Sequence, residues 1–228
     1  MWHVDLTVVP TGAGFWVPWL PFSLPQSWPF CWWVAVVVDH FSRTVIGFAV
    51  FLGPPTASEM QRALSRAIRQ AGRPPKYIIT DKGKQFWCSS FKRWCRRRFI
   101  RPRFGAVGKH GSIAIVERFI RSMKNECTFR ILVPLQLDAM RRELGLYAVW
   151  YNEHRPSQAL DGQTPRQVYV GLPSANTEPR FEPRGDWPNF CALPQTPIRG
   201  KRGAKLSLVV GYVEGRQHLP VIELRQAA

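Results

Sequence analysis

Residues 32 to 39 read WWVAVVVD, an unbroken apolar run rich in β-branched side chains. Strict alternation would mark a strand with one wet face, whereas a continuous run marks a strand buried on both. The run therefore predicts a central strand in a sheet whose two faces are covered by other elements. The turn HFSR follows, then RTVIGFAVFL, and the simplest pairing of the two runs is an antiparallel hairpin. Upstream, Met1 to Val9 alternates enough to form a further strand, with Asp5 in its middle.

Downstream the pattern changes to a helical period. In TASEMQRALSRAIRQAG, Thr56 and Glu59 make a capping box, apolar residues fall at 60, 63, 64, 67, 68 and 71, and Gly72 closes the helix. PPKYIITD is a short apolar strand ending at Asp81. SSFKRWCRRRF predicts a helix with Phe91, Trp94 and Cys95 inward and a basic outer face. RPRFGAVGKHGS reads as a loop, and two more helices follow, the second from about Gln136 to Asn152. Six prolines between 171 and 200 mark an extended arm, and KLSLVVGYVEGRQHLPVIELRQ reads as two strands around a turn near Glu214–Gln217. The order is three strands, helix, strand, helix, loop, helix: an α/β chain with a mixed sheet and helices on its faces.

Charge narrows the partner. Of the formal +17, residues 61 to 130 contribute +16, with 19 Lys or Arg against three acids. A basic band packed this densely points to a polyanion, above all nucleic acid. No residue from Leu6 to Val38 is charged, yet five prolines and two glycines interrupt that stretch, so no membrane-spanning helix fits. The five cysteines have no zinc-type spacing and suit a reducing compartment. These features predict a soluble cytoplasmic protein associated with the nucleoid.

Three acids stand out against that background. An acid in the apolar strand around Asp5 is costly unless it is paired or binds a metal. Asp81 ends a strand, where ligands of α/β sheets gather. Glu117 lies in HGSIAIVERFIRSMKNE, where Ile113, Val116, Ile120, Met123 and Cys127 would form the buried stripe of a helix. Beside the stripe, Arg121 and Lys124 follow Glu117 along one edge. Two readings are open at this point: a solvated i,i+4 pair with Arg121, worth a few tenths of a kcal/mol, or a metal ligand. Asp5, Asp81 and Glu117 meeting at one rim of the sheet would suit divalent cations. Mg²⁺ favours a few carboxylates with phosphate oxygens and water, and paired ions about 3.5–4 Å apart stabilise both oxygens of an in-line displacement at phosphorus.

The contexts of these acids carry a resemblance. WHVD at the start, TDKGKQF around Asp81 and HGSIAIVERFIRSMK around Glu117 are similar to the three signatures of the retroviral-integrase core, shared by DDE transposases of bacterial insertion sequences. Thirty-five residues separate Asp81 from Glu117, and Lys124 follows Glu117 by seven, as in that family. WYNEHRPSQALDGQTPRQVY resembles its closing segment, and VVDHFSR its turn between the second and third strands. The resemblance implies an RNase H-like mixed five-stranded sheet flanked by helices. It implies catalysis and metal binding by Asp5, Asp81 and Glu117 with two Mg²⁺ or Mn²⁺ ions. It also implies nicking at transposon ends and attack of the freed 3′-OH on target double-stranded DNA, by a homo-oligomer. A ribonuclease H-like nuclease and an inactive, truncated DNA-binding remnant are the alternatives.

Other positions are assigned with their bland readings beside them. Lys82 and Lys84 flank Asp81 and suit phosphate contacts. Lys109 joins the DNA-binding set. His110 orients a phosphate or caps the next helix. Arg96, Arg97 and Arg98 open the run RRRFIRPR, an electrostatic footprint that is in part a solvated face. Asp39 is read as a turn residue, and Trp16, Trp19, Trp28, Trp32 and Trp33 as packing groups. The expected division is a catalytic core over 1–170, a basic Pro-rich linker over 171–205 and a hairpin over 206–228, the last either a small DNA-binding module or an addition to the fold. Four features depart from the family: a long interval between the aspartates, Ser157 after RP, and the absence upstream of a helix-turn-helix or a zinc module. End recognition is therefore expected from a separate helix-turn-helix chain or the C-terminal arm.

Overall fold

A computed structural model of the protein describes residues 1–12, 27–105, 114–172 and 206–226. Lys109, His110, Ile113, Trp16, Trp19, Cys191 and the arm from 173 to 205 lie outside the described residues.

The central strand is where the apolar run puts it. Strand β2 (Cys31–Asp39) pairs antiparallel with β1 (Trp2–Pro10) on one side and β3 (Val45–Phe51) on the other. β4 (Tyr77–Thr80) runs parallel to β1, and β5 (Arg101–Phe104) parallel to β4. The resulting five-stranded mixed sheet has the order β3-β2-β1-β4-β5.

Alternation along β2 builds two cores. Trp32, Val34, Val36 and Val38 point to one face, where they meet Val116, Phe119 and Met123 of helix α3 (Ala114–Met123) and Met140, Leu144 and Tyr147 of α4 (Leu137–Glu153). Ala35 and Val37 point to the other, against Met60, Leu64 and Ala67 of α1 (Ala57–Ala71) and Phe91, Trp94 and Cys95 of α2 (Ser89–Arg96). Helix α1 starts in the expected capping box, Thr56 with Glu59, and ends at Gly72 in the left-handed region (φ 72°), which glycine reaches without cost.

Two expectations need correction. The segment RPRF is not loop but strand β5, which among the described residues is an edge strand paired on one side only. Four residues with a proline carry no strand period; an edge tolerates Pro102 because that residue need not donate to a second neighbour. In α3 the buried stripe is Val116, Phe119 and Met123, continuing to Cys127, with Ile120 only half-buried. Phe119 is drawn inward by rings the local sequence does not show: Tyr151 at 4.9 Å edge-on, Phe48 at 5.9 Å and Tyr147 at 6.1 Å.

After Met123 the helix widens into a π turn, Lys124–Thr128. The closing segment of α4 then ties the layers together. The Asn152 side chain accepts from the Val45 N–H at 2.9 Å and donates to the Val45 carbonyl at 3.0 Å. A short helix α5 (Pro165–Val170) follows, capped by Thr164 and Gln167. Strands β6 (Leu206–Tyr212) and β7 (Pro220–Gln226) form a separate two-stranded sheet. Its turn docks on α4: Leu219 is buried in the α3–α4 core, and Trp150 Nε1 donates to the Pro220 carbonyl at 2.7 Å. Among the described residues, no helix is long and apolar enough to cross a membrane.

Candidate active site

β1 and β4 lie side by side in parallel, with Trp2 opposite Ile78 and His3 opposite Ile79. Two residues further along each strand stand Asp5 and Asp81. The pleat alternates, so both project to the side opposite Trp2 and Ile78, which belong to the α1–α2 core. That side is the one α3 covers, and α3 packs on β1 and β2. Glu117 stands on α3 next to the buried Val116, on the exposed flank of the helix. The fold thus brings the three acids to one sheet face.

Their electrostatics agree. Asp5 is raised from the ordinary carboxylate value to about 6. Desolvation is the largest cause, and the neighbouring charges of Asp81 and Glu117 push the same way, opposed by the Leu6 N–H that donates to Asp5 Oδ1 at 2.8 Å. Asp81 accepts from the Gly83 N–H at 3.1 Å, which fixes its carboxylate at the strand end. Among the described residues none of the three has an ion-pair partner. Glu117 and Arg121 do not pair, so the solvated ion pair open at the sequence level is not formed. Asp81 and Glu117 both make charging Asp5 harder, an arrangement that a bound cation would relieve. Hard oxygen donors of this kind fit Mg²⁺ or Mn²⁺. Among the described residues, no three acidic, histidine or cysteine side chains stand close enough together to hold a metal ion as they are.

Two models of the integrase core domain match the sequence, one over residues 1–110 and one over 98–165. This chain belongs to the integrase core family. The core is 30% identical over 128 residues to transposase InsF of insertion sequence IS3A from Escherichia coli, a match covering 55% of this chain and 38% of that protein. The chain therefore spans well under two thirds of the length of the transposases it matches. It is also 31% identical over 125 residues to the Gag-Pol polyprotein of Rous sarcoma virus, covering 55% of this chain and 7% of the polyprotein. Among solved structures, the HTLV-2 integrase catalytic core domain in complex with magnesium superposes with a TM-score of 0.52 at 22% identity, covering 74% of this chain and 94% of that one. The simian T-cell lymphotropic virus intasome gives 0.56 at 20% identity, covering 99% of this chain and 67% of that one. These likenesses show that the integrase core has the RNase H-like fold.

The remaining site residues divide by exposure. Lys82, Lys84, Arg96, Arg97 and Arg121 are exposed. Arg98 is half-buried, its guanidinium 4.6 Å from the Trp94 ring centroid. Lys124 opens the π turn half-buried, and desolvation pushes its ammonium below the ordinary lysine range. Asp39 is the last residue of β2 and caps the turn that follows, accepting from the Phe41 and Ser42 N–H groups at 3.1 Å each. Of the tryptophans, Trp32 is buried and donates to the Pro134 carbonyl at 2.7 Å.

Sequence reasoning missed a histidine pair. His3, fully buried two residues before Asp5, lies 2.8 Å from His40 through Nε2 and Nδ1, the rings stacked at 5.1 Å. Burial lowers His3 to about 4, so it is neutral at physiological pH. The WHVD motif contains it, but nothing local announces a partner 37 residues away.

Proposed function

We propose that this integrase core is the catalytic part of a DDE transposase, nicking the ends of a mobile element and joining the freed 3′ ends to target DNA. The observation that carries the reading is the set of unpaired carboxylates, Asp5, Asp81 and Glu117, on one face of an integrase fold inside a strongly basic chain. In this reading they hold two Mg²⁺ or Mn²⁺ ions. When bound, such ions supply Lewis-acid activation of the attacking oxygen and charge neutralisation at the leaving oxygen.

The chain's own residues bind and orient the DNA. Lys82 and Lys84 follow Asp81 closely and meet backbone phosphates near the scissile bond, while Arg121, Arg96 and Arg97 carry the flanking duplex. Lys109 and His110 act from the segment between β5 and α3, and Lys124 and Arg98 reach the backbone after giving up part of their packing. Lysines and arginines meeting phosphates set register without reading bases. The catalytic core extends over 1–170, the linker over 171–205 and the hairpin over 206–228. The core acts as a homo-oligomer in the cytoplasm, and a helix-turn-helix partner supplies end recognition.

An oligonucleotide strand-transfer assay with Mg²⁺ or Mn²⁺ tests this. Wild type should join a pre-nicked end to a second duplex, and Asp81→Asn should reduce joining to background while circular dichroism stays unchanged. Joining that persists in excess chelator, or in Asp81→Asn, would sink the mechanism.

A further inference from the structure

The open edge of the sheet is built in a way that catalysis at Asp81 does not require. Among the described residues β5 pairs only with β4, Tyr77 facing Arg101 and Thr80 facing Phe104. Near Asp81, the half-exposed Trp87 packs edge-on against Phe104 at 4.6 Å, with the Lys92 ammonium 3.7 Å and the Lys82 ammonium 5.7 Å from its ring centroid. At the far end, the Arg103 guanidinium lies 4.3 Å from the Tyr77 ring centroid and the Lys76 ammonium 5.8 Å from it. The Arg101 guanidinium holds the Tyr77 hydroxyl below the ordinary tyrosine range. Lys76, Arg101 and Arg103 are all exposed.

Charged side chains blunt an exposed edge against pairing with another strand, but either sign serves that purpose. Here every charge is a cation: from residue 76 to residue 105, Asp81 is the only acid. Phe104, Trp87 and Lys92 belong to the α1–α2 face of the sheet, whereas Arg101 and Arg103 alternate to the face of Asp81. There the Tyr77 ring holds the heads of Arg103 and Lys76 in place and spares part of the entropy of ordering long side chains. An ordered row of cations without counter-charges suits a regular row of anions.

We propose that the β4–β5 edge, through Lys76, Arg101 and Arg103, is a track for the phosphate backbone of double-stranded DNA leading away from Asp81. From Tyr77 to Asp81 the strand rises about 13 Å at about 3.3 Å per residue. That equals about four base-pair steps at 3.4 Å each, so the track grips the duplex within about four base pairs of the reacting phosphate. The direction of the track rests on the proposed role of Asp81; binding along the edge does not.

The test is a salt titration of binding to a random-sequence duplex by the full chain. The triple variant Lys76→Gln, Arg101→Gln, Arg103→Gln should lower the log–log salt slope by about 2.7, since each phosphate contact contributes about 0.9. The control removes equal charge from the exposed outer face of α1, as Arg62→Gln, Arg66→Gln, Arg69→Gln, and should leave the slope near wild type. Equal losses in both variants, or no loss in the first, would overturn the track. Arg101→Cys should also be captured by thiol–disulfide exchange with a phosphate tethered to a mixed disulfide about four base pairs from a pre-nicked end, releasing the small leaving thiol, and capture only elsewhere would overturn its direction. A wild type that joins no ends but keeps the track-dependent slope would sink the transposase reading and leave the track standing.

Discussion

Arg155 grips Glu126 with two prongs, Nη2 2.7 Å from Oε1 and Nε 3.0 Å from Oε2. The Tyr147 hydroxyl donates to the same Glu126 carboxylate at 2.9 Å. Glu126 belongs to the π turn that ends α3, whereas Tyr147 and Arg155 belong to α4 and the segment just after it. The network therefore locks the helix bearing Glu117 against its neighbour, and Arg155 of the closing motif YNEHRP serves as a brace.

Removing one partner leaves the other half-buried and uncompensated. Glu126→Ala should cost about 1 to 3 kcal/mol of folding free energy, and in a double-mutant cycle with Arg155→Ala the two losses should be less than additive. Urea denaturation of the three variants measures this. Strict additivity would mean that the pair contributes nothing as a pair.

The hairpin should be held by its turn. Leu219 is fully buried against the α3–α4 core, so Leu219→Ala should cost about 2–5 kcal/mol. Hydrogen exchange should then rise across 206–226 before it rises in β2. If protection is lost in both together, the hairpin and core unfold as one unit.

Thiol labelling probes the two cores. Burial pushes Cys95 and Cys127 up to about 12, and the thiolate is the reactive form. Both should resist alkylation at neutral pH in the native protein and react once it is unfolded, whereas Cys88, only half-buried, should label natively. Fast native labelling of Cys127, read by mass spectrometry of peptides, would show that the π turn opens.

Much of this architecture is legible in the sequence because local period and burial agree. The run at β2 is apolar on both parities, and its residues fill both cores. Asp5 and Asp81 are conspicuous as acids in apolar strands, and their meeting follows from the parallel pairing of β1 with β4. What escaped notice depends on distant partners. RPRF becomes a strand only because β4 offers it a free edge. Phe119 turns inward because Tyr151 and Tyr147 lie above it, and His3 pairs with a histidine from the next turn. The docking of Leu219 and Trp150, 69 positions apart in the sequence, leaves no periodic trace in either segment.

The central claim is that Asp5, Asp81 and Glu117 form one cation site. Calorimetric titration of Mn²⁺ into the DNA-bound chain tests it most directly, comparing wild type with Asp5→Asn, Asp81→Asn and Glu117→Gln. Each substitution removes one ligand charge while keeping the shape of the side chain. Wild type should bind Mn²⁺ saturably, and all three variants should lose that binding or weaken it severely with folding unchanged. Undiminished Mn²⁺ binding in any one of them would contradict it.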